Sequence, residues 1–462
     1  MRVWRIAGVV IIGSFMTTLG SSLVNVGLDT IARDLRVRLA DVQWVTSGYL
    51  VAFAAVLPLT AWLSRRAGAG RVWLGALAGF TVSSALCTLA PNLALLVVLR
   101  VLQGAAGAML VPAGQTVIGL VAGPGRMGRV LNSTKIVVVL APAVGPALGG
   151  LLVSGLSWRW LFLVNVPVGA AALLFGARIV PRGERAPGGA FDPLGFALVA
   201  AGLPLVVYGV TAVGRYGGLA AETATLPAGL VLLGLFAARS RTVPRPLLDL
   251  RLFANRTYAA AVALVFFAGA ALLGTMILLP LYYQLLRHES VLHAGLLMFA
   301  VGAGAAASMP FGGPLTDRIG GGIVSVAGLA LSTAGVVPFV FLDAGTNLAV
   351  VAALQAVTGF GLGIAAMPAL SVAYATVPAD RLPDATSEAN IVQRVGGSTG
   401  SALLIVILGR HGAPTAAAFH AAFACLAAAT VAALGLACWL TAEERRLRPA
   451  ASSRGRRAVP SR

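Results

Sequence analysis

The chain has 462 residues, of which 58% are hydrophobic and 11% are charged, and its mean hydropathy is +0.90. Soluble domains carry about 25% charged residues, so this chain cannot cover a water-facing surface and is predicted to be an integral membrane protein. The net charge of +19 could suit a nucleic-acid partner. However, the basic residues lie in short loops and in the tail, which is the distribution that sets membrane topology.

Metal and cofactor chemistry is not expected from this sequence. The three cysteines lie in apolar segments, and neither they nor the four histidines show metal-ligand spacing. A membrane transferase acting on a diphosphate would need clustered carboxylates to hold a divalent metal. The only adjacent acids, Glu443 and Glu444, lie beside a basic tail. The chain is therefore predicted not to be an enzyme and to need no cofactor.

Apolar segments long enough to cross a bilayer, about 20 residues each, follow one another along the chain. We predict fourteen: 5–28, 41–62, 72–91, 93–115, 130–153, 158–180, 193–213, 221–239, 257–284, 292–312, 322–342, 347–370, 388–409 and 417–441. The loops on the side of the N-terminus, with the two tails, hold 24 basic residues and those on the other side hold seven. Positive residues mark the cytoplasmic side, so both termini are predicted to be cytoplasmic.

The fourth predicted helix contains a charged residue, Arg100, in LRVLQGAAGAML. A charge at the centre of a membrane helix costs about 2.5–3.5 kcal/mol on the gentlest scale, so such a residue is a functional candidate. The alternative is an arginine that extends from the helix end toward the membrane surface. Gln103 and Gly104 follow on adjacent faces and could line or pack the same site.

The fifth and sixth predicted helices contain the most specific stretch, APAVGPALGGLLVSGLSWRWLFLVNVPVG at 141–169. Pro142 and Pro146 bend the fifth helix, and Gly145, Gly149 and Gly150 allow a neighbouring helix to approach closely. The stretch resembles the antiporter motif gxxxGPxxGG of the major facilitator superfamily. The part that follows resembles the WRWxFxxNxPxG signature of its fourteen-helix drug:proton antiporter branch.

This resemblance implies an all-α membrane fold with two six-helix bundles and two extra central helices. The bundles would be 1–180 and 257–441, with the extra helices in 181–256 and a basic, disordered tail at 442–462. An internal repeat agrees: AWLSRRAGAG at 61–70 and GPLTDRIGGG at 313–322 are related by an offset of 252. The implied function is export of drug-like or antibiotic-like molecules by alternating access, with proton antiport, from a monomer in the bacterial plasma membrane.

The first predicted helix departs from the branch where a proton carrier is expected. In FMTTLGSSLVNVGLDTI the family's acidic residue falls at Gly20, although Asn25 is retained. None of the fifteen acidic residues lies at the middle of a predicted span. Three explanations stay open. An acid near a helix end, such as Asp29, Asp41 or Glu388, could reach the cavity. Lys135 could titrate instead, or the protein could be an uncoupled transporter.

The cytoplasmic turns form the predicted inner gate, with Arg66 and Gly68 in the first repeat and Asp317 and Arg318 in the second. In the family, an acid at this turn helps to hold the gate shut. The first turn has Arg65 at that position. Arg65 and Arg66, beside Arg71, cannot act as that acid does, so the first turn is expected to lack this electrostatic anchor, whereas Asp317 and Arg318 match the family in the second turn.

Three cations lie within predicted helices: Arg100, Lys135 and Arg394, the last beside Gln393. With no acid at comparable depth, they favour an anionic substrate, because a buried charge requires a counter-ion. Two alternatives therefore accompany drug export: a differently coupled carrier of an anionic metabolite, and a degenerate transporter that acts as a sensor. Trp158, Trp160, Tyr282 and Tyr283 lie near helix ends, and we expect them at the membrane interface.

Overall fold

The computed structural model describes residues 2–123, 130, 145, 148–184, 191–216, 224–244, 246–409 and 415–455, and regular secondary structure there is helical. The α-helices are α1 (Arg2–Asp34), α2 (Leu39–Val42), α3 (Trp44–Val56), α4 (Leu59–Ala67), α5 (Ala69–Thr88), α6 (Leu93–Ala122), α7 (Trp160–Leu163), α8 (Asn165–Ile179), α9 (Pro193–Tyr216), α10 (Thr225–Thr242), α11 (Arg256–Leu281), α12 (Val291–Ile319), α13 (Gly321–Val336), α14 (Leu348–Ala375), α15 (Leu382–Gly409) and α16 (Ala416–Gly455). Residues 148–155 are also helical.

Eleven segments in the described part of the chain are long and apolar enough to cross a membrane. A twelfth results if α3 and α4, which meet at a bend of 55°, form one span. Pro58 lies at this bend, where its missing N–H prevents a continuous helix. The predicted fifth span falls mostly outside the described residues, and α10 is not among the eleven. The predicted count of fourteen is therefore not confirmed.

The chain forms two compact units. Unit 1 contains the described residues of 1–123, 133–250 and 379–391, and unit 2 contains those of 124–132, 251–378 and 392–462. The apolar centre of unit 1 surrounds Leu23, Trp158 and Phe162. That of unit 2 surrounds Tyr282 and Phe423, whose rings lie 5.7 Å apart edge to face. Each unit thus buries aromatic side chains inside its own helix bundle.

Loops predicted to lie on the same side of the membrane come together within each unit. In unit 1, Arg71 donates a hydrogen bond to the carbonyl of Gly183 over 3.0 Å, and Arg381 pairs with Asp249 over 3.1 Å. In unit 2, the Tyr282 hydroxyl lies 3.3 Å from the Asp343 carbonyl. These contacts agree with the alternation of loops in the predicted topology, although they do not identify which side is cytoplasmic.

Two helix boundaries differ from the prediction and bear on function. The helical segment that contains the span predicted from residue 388 begins at Ala379. Its first turns, LPDATS, are polar and precede the predicted span. At the other end of the chain, α16 continues to Gly455, so part of the tail predicted to be disordered is helical.

The interface prediction was wrong for three of its four aromatic residues. Trp158 is 1% exposed, and Tyr282 and Tyr283 are fully buried. Their polar atoms find partners inside the protein: the Trp158 indole N–H donates to Asp34 over 2.7 Å, and Gln355 donates to the Tyr283 hydroxyl over 2.6 Å. An aromatic residue with a satisfied polar atom can be buried completely. Proximity to a helix end was therefore an insufficient signal.

Candidate functional site

Arg100 on α6 is fully buried. Its Nε donates a hydrogen bond to the backbone carbonyl of Val45 on α3, over 2.9 Å. Its Nη1 donates to Oε1 of Gln103, one turn later on α6, over 2.6 Å. The Gln103 amide in turn donates to the hydroxyl of Ser84 on α5, over 2.5 Å. Three helices, α3, α5 and α6, thus meet at one buried polar network.

Aromatic rings supply the rest of the Arg100 surroundings. The guanidinium carbon lies 4.2 Å from the centre of the Tyr49 ring and 5.7 Å from that of Phe162. Contacts of this kind stabilise a cation by about 2 kcal/mol or more when they are desolvated. Nη2 of Arg100 has no hydrogen-bond partner among the residues that the structure describes. The guanidinium is therefore held by dipoles and rings, and one of its donors is left over.

Gln103 and Gly104 have different roles in this structure. Gln103 is fully buried and belongs to the Arg100 network, as the adjacent-face prediction allowed. Gly104 packs against the backbone of Tyr49, because a Cβ there would overlap the Tyr49 carbonyl. Asn25, in contrast, is exposed on α1 and accepts a hydrogen bond from the Thr46 hydroxyl over 3.2 Å. Asn25 is therefore separate from the Arg100 network.

The position of the missing carboxylate faces neutral groups. A Cβ on Gly20 would lie 3.4 Å from the Phe80 ring and 3.8 Å from the side-chain nitrogen of Asn165. Asn165 is 2% exposed and comes from the WRWxFxxNxPxG stretch. A Cβ at residue 20 would therefore be in ordinary van der Waals contact, with an amide donor beside it. The sequence did not indicate that Asn165 would lie there.

Two acidic residues near the start of the thirteenth predicted span are buried. Asp384 and Glu388, both on α15, are 2% exposed. The predicted span begins at Glu388, whereas the helical segment that contains it begins earlier, at Ala379. The other two open candidates are not buried: Asp29 pairs with Arg33 and Asp41 pairs with Arg38, each within the same helix or turn.

Arg65 has a partner that the sequence did not reveal. Its guanidinium pairs with the buried carboxylate of Asp384, and its Nη2 lies 3.2 Å and 3.3 Å from the carbonyl oxygens of Pro246 and Leu247. All of these residues belong to unit 1. The expectation that Arg65 leaves the first turn without an electrostatic anchor is therefore wrong, because the acid lies on α15, 319 residues away in sequence.

The other predicted gate residues differ in how they are placed. The exposed side chain of Arg66 lies over the Trp62 ring, 5.4 Å from its centre. Gly68 has a φ of 90°, and a Cβ there would overlap the Arg182 carbonyl. In the second turn Arg318 is exposed. The side chain of Asp317 lies outside the described residues.

The antiporter-motif stretch is described only in part. A Cβ on Gly145 would overlap the side chain of Ser22 on α1, and one on Gly149 would lie 3.4 Å from Leu23 and Val26. These two glycines therefore allow close contact with α1, whereas Gly150 has open space around it. Outside the described residues lie Pro142, Pro146 and Lys135.

The second pair of cavity candidates lies in unit 2. Arg394 is the middle residue of the segment Ala379–Gly409, and it is exposed. The backbone and side chain of Gln393 pack against Gly269 on α11, where a Cβ would overlap the Gln393 carbonyl. No cluster of potential metal ligands occurs in the described part of the chain.

Sequence reasoning missed several residues of the buried networks. Tyr49, Ser84 and Phe162 surround the Arg100 network, and Asn165 faces Gly20. A polar residue inside an apolar helix, such as Ser84, can indicate a position that faces another polar group. The identity of its partner depends on which helix faces touch.

The chain matches the family described as Major Facilitator Superfamily over residues 10–401 and again over 262–461. It is 36% identical over 409 residues to a multidrug resistance protein B homolog of Mycobacterium tuberculosis, which covers 87% of this chain and 76% of that protein. It is 30% identical over 410 residues to the tetracenomycin C resistance and export protein of Streptomyces glaucescens, with 88% and 76% covered. Its identity to the lincomycin resistance protein LmrB of Listeria monocytogenes is 28%, with 86% and 85% covered.

Among solved structures, the chain is similar to that of the human organic anion transporter MFSD10. The TM-score is 0.62, the identity is 18%, and 93% of this chain and 99% of the other are covered. At this level of identity the similarity concerns the fold alone.

Proposed function

The chain belongs to the major facilitator superfamily, and from this premise we propose that it exports drug-like or antibiotic-like molecules in exchange for protons. It is a multi-pass membrane transporter rather than an enzyme, and its relatives include multidrug and antibiotic resistance proteins. Two helix bundles would move about a central site and expose it to each side of the membrane in turn. The substrate would move out of the cell, and proton entry would supply the energy for that movement.

The observation that carries the proposal is the buried Arg100 network. A fully buried arginine in a membrane-spanning helix, with one donor left over, is costly to keep unless function requires it. We propose that Arg100 and Gln103 respond to the substrate, the proton or both, with Asn25, Arg394, Gln393 and Lys135 on the same pathway. The glycine- and proline-rich stretch at 142–150 would provide the helix contact along which the bundles move.

The finer architecture is part of the same proposal. We propose fourteen membrane-spanning helices, with both termini in the cytoplasm of a bacterium, and a monomeric transport unit. The 18-residue helix α10 alongside α9 supports the two extra central helices, since Arg239 pairs with Asp192 over 2.9 Å across them. The branch assignment to fourteen-helix drug:proton antiporters rests on the motif at 141–169. The six-helix bundles would be 1–180 and 257–441.

The test uses purified protein in liposomes with an imposed pH gradient and a pH-sensitive dye inside. Lincomycin, tetracenomycin C and ethidium are suitable probes, the first two because they appear in the names of relatives. Proton movement evoked by one probe supports antiport. We expect Arg100→Ala to abolish it, while Arg241→Ala, at an exposed position on α10, preserves it. Equal activity of both variants would contradict the assigned site.

A second candidate function is an uncoupled carrier of an anionic metabolite. The absence of a carboxylate at Gly20 favours it, as does the Arg100 Nη2, which has no hydrogen-bond acceptor in the described part of the chain. Movement of an organic acid without any proton movement in the same liposomes would support this candidate. A protein that binds a probe but moves none would instead be a degenerate transporter acting as a sensor.

A further inference from the structure

The adjacent acids near the end of α16, Glu443 and Glu444, have different partners. Glu443 pairs with Arg446 over 3.7 Å, within α16 itself. Glu444 reaches another helix, since its Oε2 accepts a hydrogen bond from the backbone amide of Gly322 on α13 over 2.9 Å. These two residues are 122 positions apart in the sequence. The second acid of the pair therefore links the end of α16 to α13.

Gly322 lies where an outside acceptor is needed. It is the second residue of α13, directly after the turn that carries Asp317 and Arg318. The first four N–H groups of a helix have no acceptor within that helix, and the N-cap residue Gly320 has no side chain to supply one. A carboxylate at this end also interacts favourably with the helix dipole. Glu444 therefore caps α13 from a distant part of the chain.

The backbones of α13 and α16 approach closely at this hydrogen bond. A Cβ on Gly322 would lie 2.7 Å from the Thr441 hydroxyl oxygen, 2.8 Å from the Thr441 Cα and 3.0 Å from Oε2 of Glu444. These separations leave no room for a side chain at residue 322. The glycine thus brings the two helices into contact, and the contact places the amide within reach of the carboxylate.

The first repeated turn is anchored at the equivalent position by backbone groups instead. The offset of 252 relates Gly322 to Gly70, where a Cβ would overlap the Pro181 carbonyl. The amide of the next residue, Arg71, donates to the Arg182 carbonyl over 3.3 Å. Unit 1 therefore supplies its acceptor from the backbone after α8, whereas unit 2 supplies it from a side chain. In unit 2, a single substitution can remove the acceptor.

We propose that Glu444 is a positioning residue for the second repeated turn, 313–322. Its carboxylate holds the start of α13 against α16, and only Gly320 separates α13 from α12. The position of the turn, and of Asp317 and Arg318 within it, is therefore set from α16. Without the acceptor, the Gly322 amide can pair only with water, and the turn opens more often. The effect on transport rests on the proposed function, whereas the effect on the turn does not.

Hydrogen–deuterium exchange of the purified full-length protein, followed by mass spectrometry, measures this hydrogen bond. We expect Glu444→Ala to exchange the Gly322 amide, in the peptide 320–324, roughly tenfold faster or more, because a hydrogen bond to a charged group is lost. Glu444→Gln keeps a carbonyl oxygen and should retain most of the protection. Glu443→Ala is the matched control and should behave as the wild type. The peptide 68–72 should be unchanged in every variant, because its acceptors are backbone carbonyls.

Transport distinguishes a positioning role from a purely structural one. The variants are compared in liposomes with lincomycin, tetracenomycin C and ethidium as probes, at equal amounts of folded protein. We expect Glu444→Ala to lower the maximal rate of probe movement without changing the half-saturating probe concentration, because the turn lies outside the Arg100 network. Glu444→Gln should recover most of this rate, and Glu443→Ala should keep it.

Three outcomes would overturn the assignment: unchanged exchange at 320–324 in Glu444→Ala, equal acceleration in Glu443→Ala, or faster exchange with unchanged transport. If Glu444→Ala does not fold, Glu444→Asp decides, because the shorter side chain withdraws the carboxylate, and unchanged exchange then excludes the role. A wild-type protein that moves no probe would refute the proposed function, while the exchange result still tests the contact between Glu444 and Gly322. The two failures are therefore distinguishable.

Discussion

The two repeated turns, 61–70 and 313–322, have the same backbone but different charges. Gly68 and Gly320 have φ values of 90° and 95°, and each amide donates to a carbonyl four residues earlier, over 3.0 Å to Ser64 and 3.1 Å to Thr316. At equivalent positions, however, the first turn has Arg65 and the second has Asp317. The comparison shows that the backbone conformation of the glycine determines the turn. The charged residue in the turn instead depends on a partner that is distant in sequence, which for Arg65 is Asp384.

The largest expected effect comes from reversing the charge of the first turn. Arg65→Asp would leave two carboxylates facing each other, with Asp384 only 2% exposed. Breaking a buried ion pair costs about 3–5 kcal/mol, so we expect a clear loss of thermal stability in detergent and of transport. The double variant Arg65→Asp with Asp384→Arg should recover much of both. A double variant no better than Arg65→Asp would show that the pair does not act as an anchor.

A somewhat smaller loss is expected when the shared turn geometry is disturbed. A Cβ at Gly68 meets a positive φ and overlaps the Arg182 carbonyl. Holding a residue with a side chain in such a sparsely populated backbone conformation costs about 1–3 kcal/mol. Gly68→Ala should therefore lower the unfolding temperature, as measured by thermal denaturation in detergent. Gly75→Ala, at a helical position with open space, should have little effect, and equal losses for both would contradict a role for the turn.

The opposite end of unit 1 offers a weaker anchor for comparison. There Asp34 accepts from the Trp158 indole over 2.7 Å and pairs with Arg159 over 3.1 Å. Trp158→Phe removes a hydrogen bond to a charged group, which is worth about 1.5–3 kcal/mol, but leaves Arg159 in place. We expect reduced stability with transport retained. A loss of transport without a loss of stability would show that this end also controls movement.

The smallest effect concerns Asp192, whose carboxylate caps α9 and pairs with Arg239 on α10. Burial alone would raise the pKa of Asp192, but Arg239 and the Gly195 amide outweigh it and hold this pKa below its usual range. A lowered pKa stabilises the fold above the unfolded-state value, and this contribution is lost as the pH falls through the folded-state value. Asp192→Asn should therefore be less stable than the wild type at neutral pH.

The pH dependence of this difference distinguishes an ionic from a purely structural role. Thermal denaturation of both proteins across acidic pH should show the gap closing as Asp192 becomes protonated. A gap that persists unchanged at the most acidic pH would indicate that shape rather than charge matters at this position.

Much of the fold could be predicted because it depends on local composition. Long apolar segments have few alternatives to crossing a membrane, and the turn glycines Gly68 and Gly320 repeat at a fixed offset. The position of Arg100 within an apolar helix, and its contact with Gln103 three residues later, could also be predicted, because both residues lie on the same helix. The start of α15 could not be predicted, since its polar turns are stabilised by Arg65 and α6 rather than by their own hydropathy.

The sequence by itself determined that this is a membrane protein, which family it resembles and which charged residues lie within apolar helices. Each of these features depends on residues that are close together in the sequence. Only the tertiary structure decided the partners: Asp384 for Arg65, Ser84 for Gln103 and Asn165 for the site at Gly20. The physical reason is that nearly uniform apolar helices do not reveal which face meets which neighbour. A charged residue inside an apolar segment can therefore be recognised from the sequence, whereas the group that pairs with it is known only from the tertiary structure.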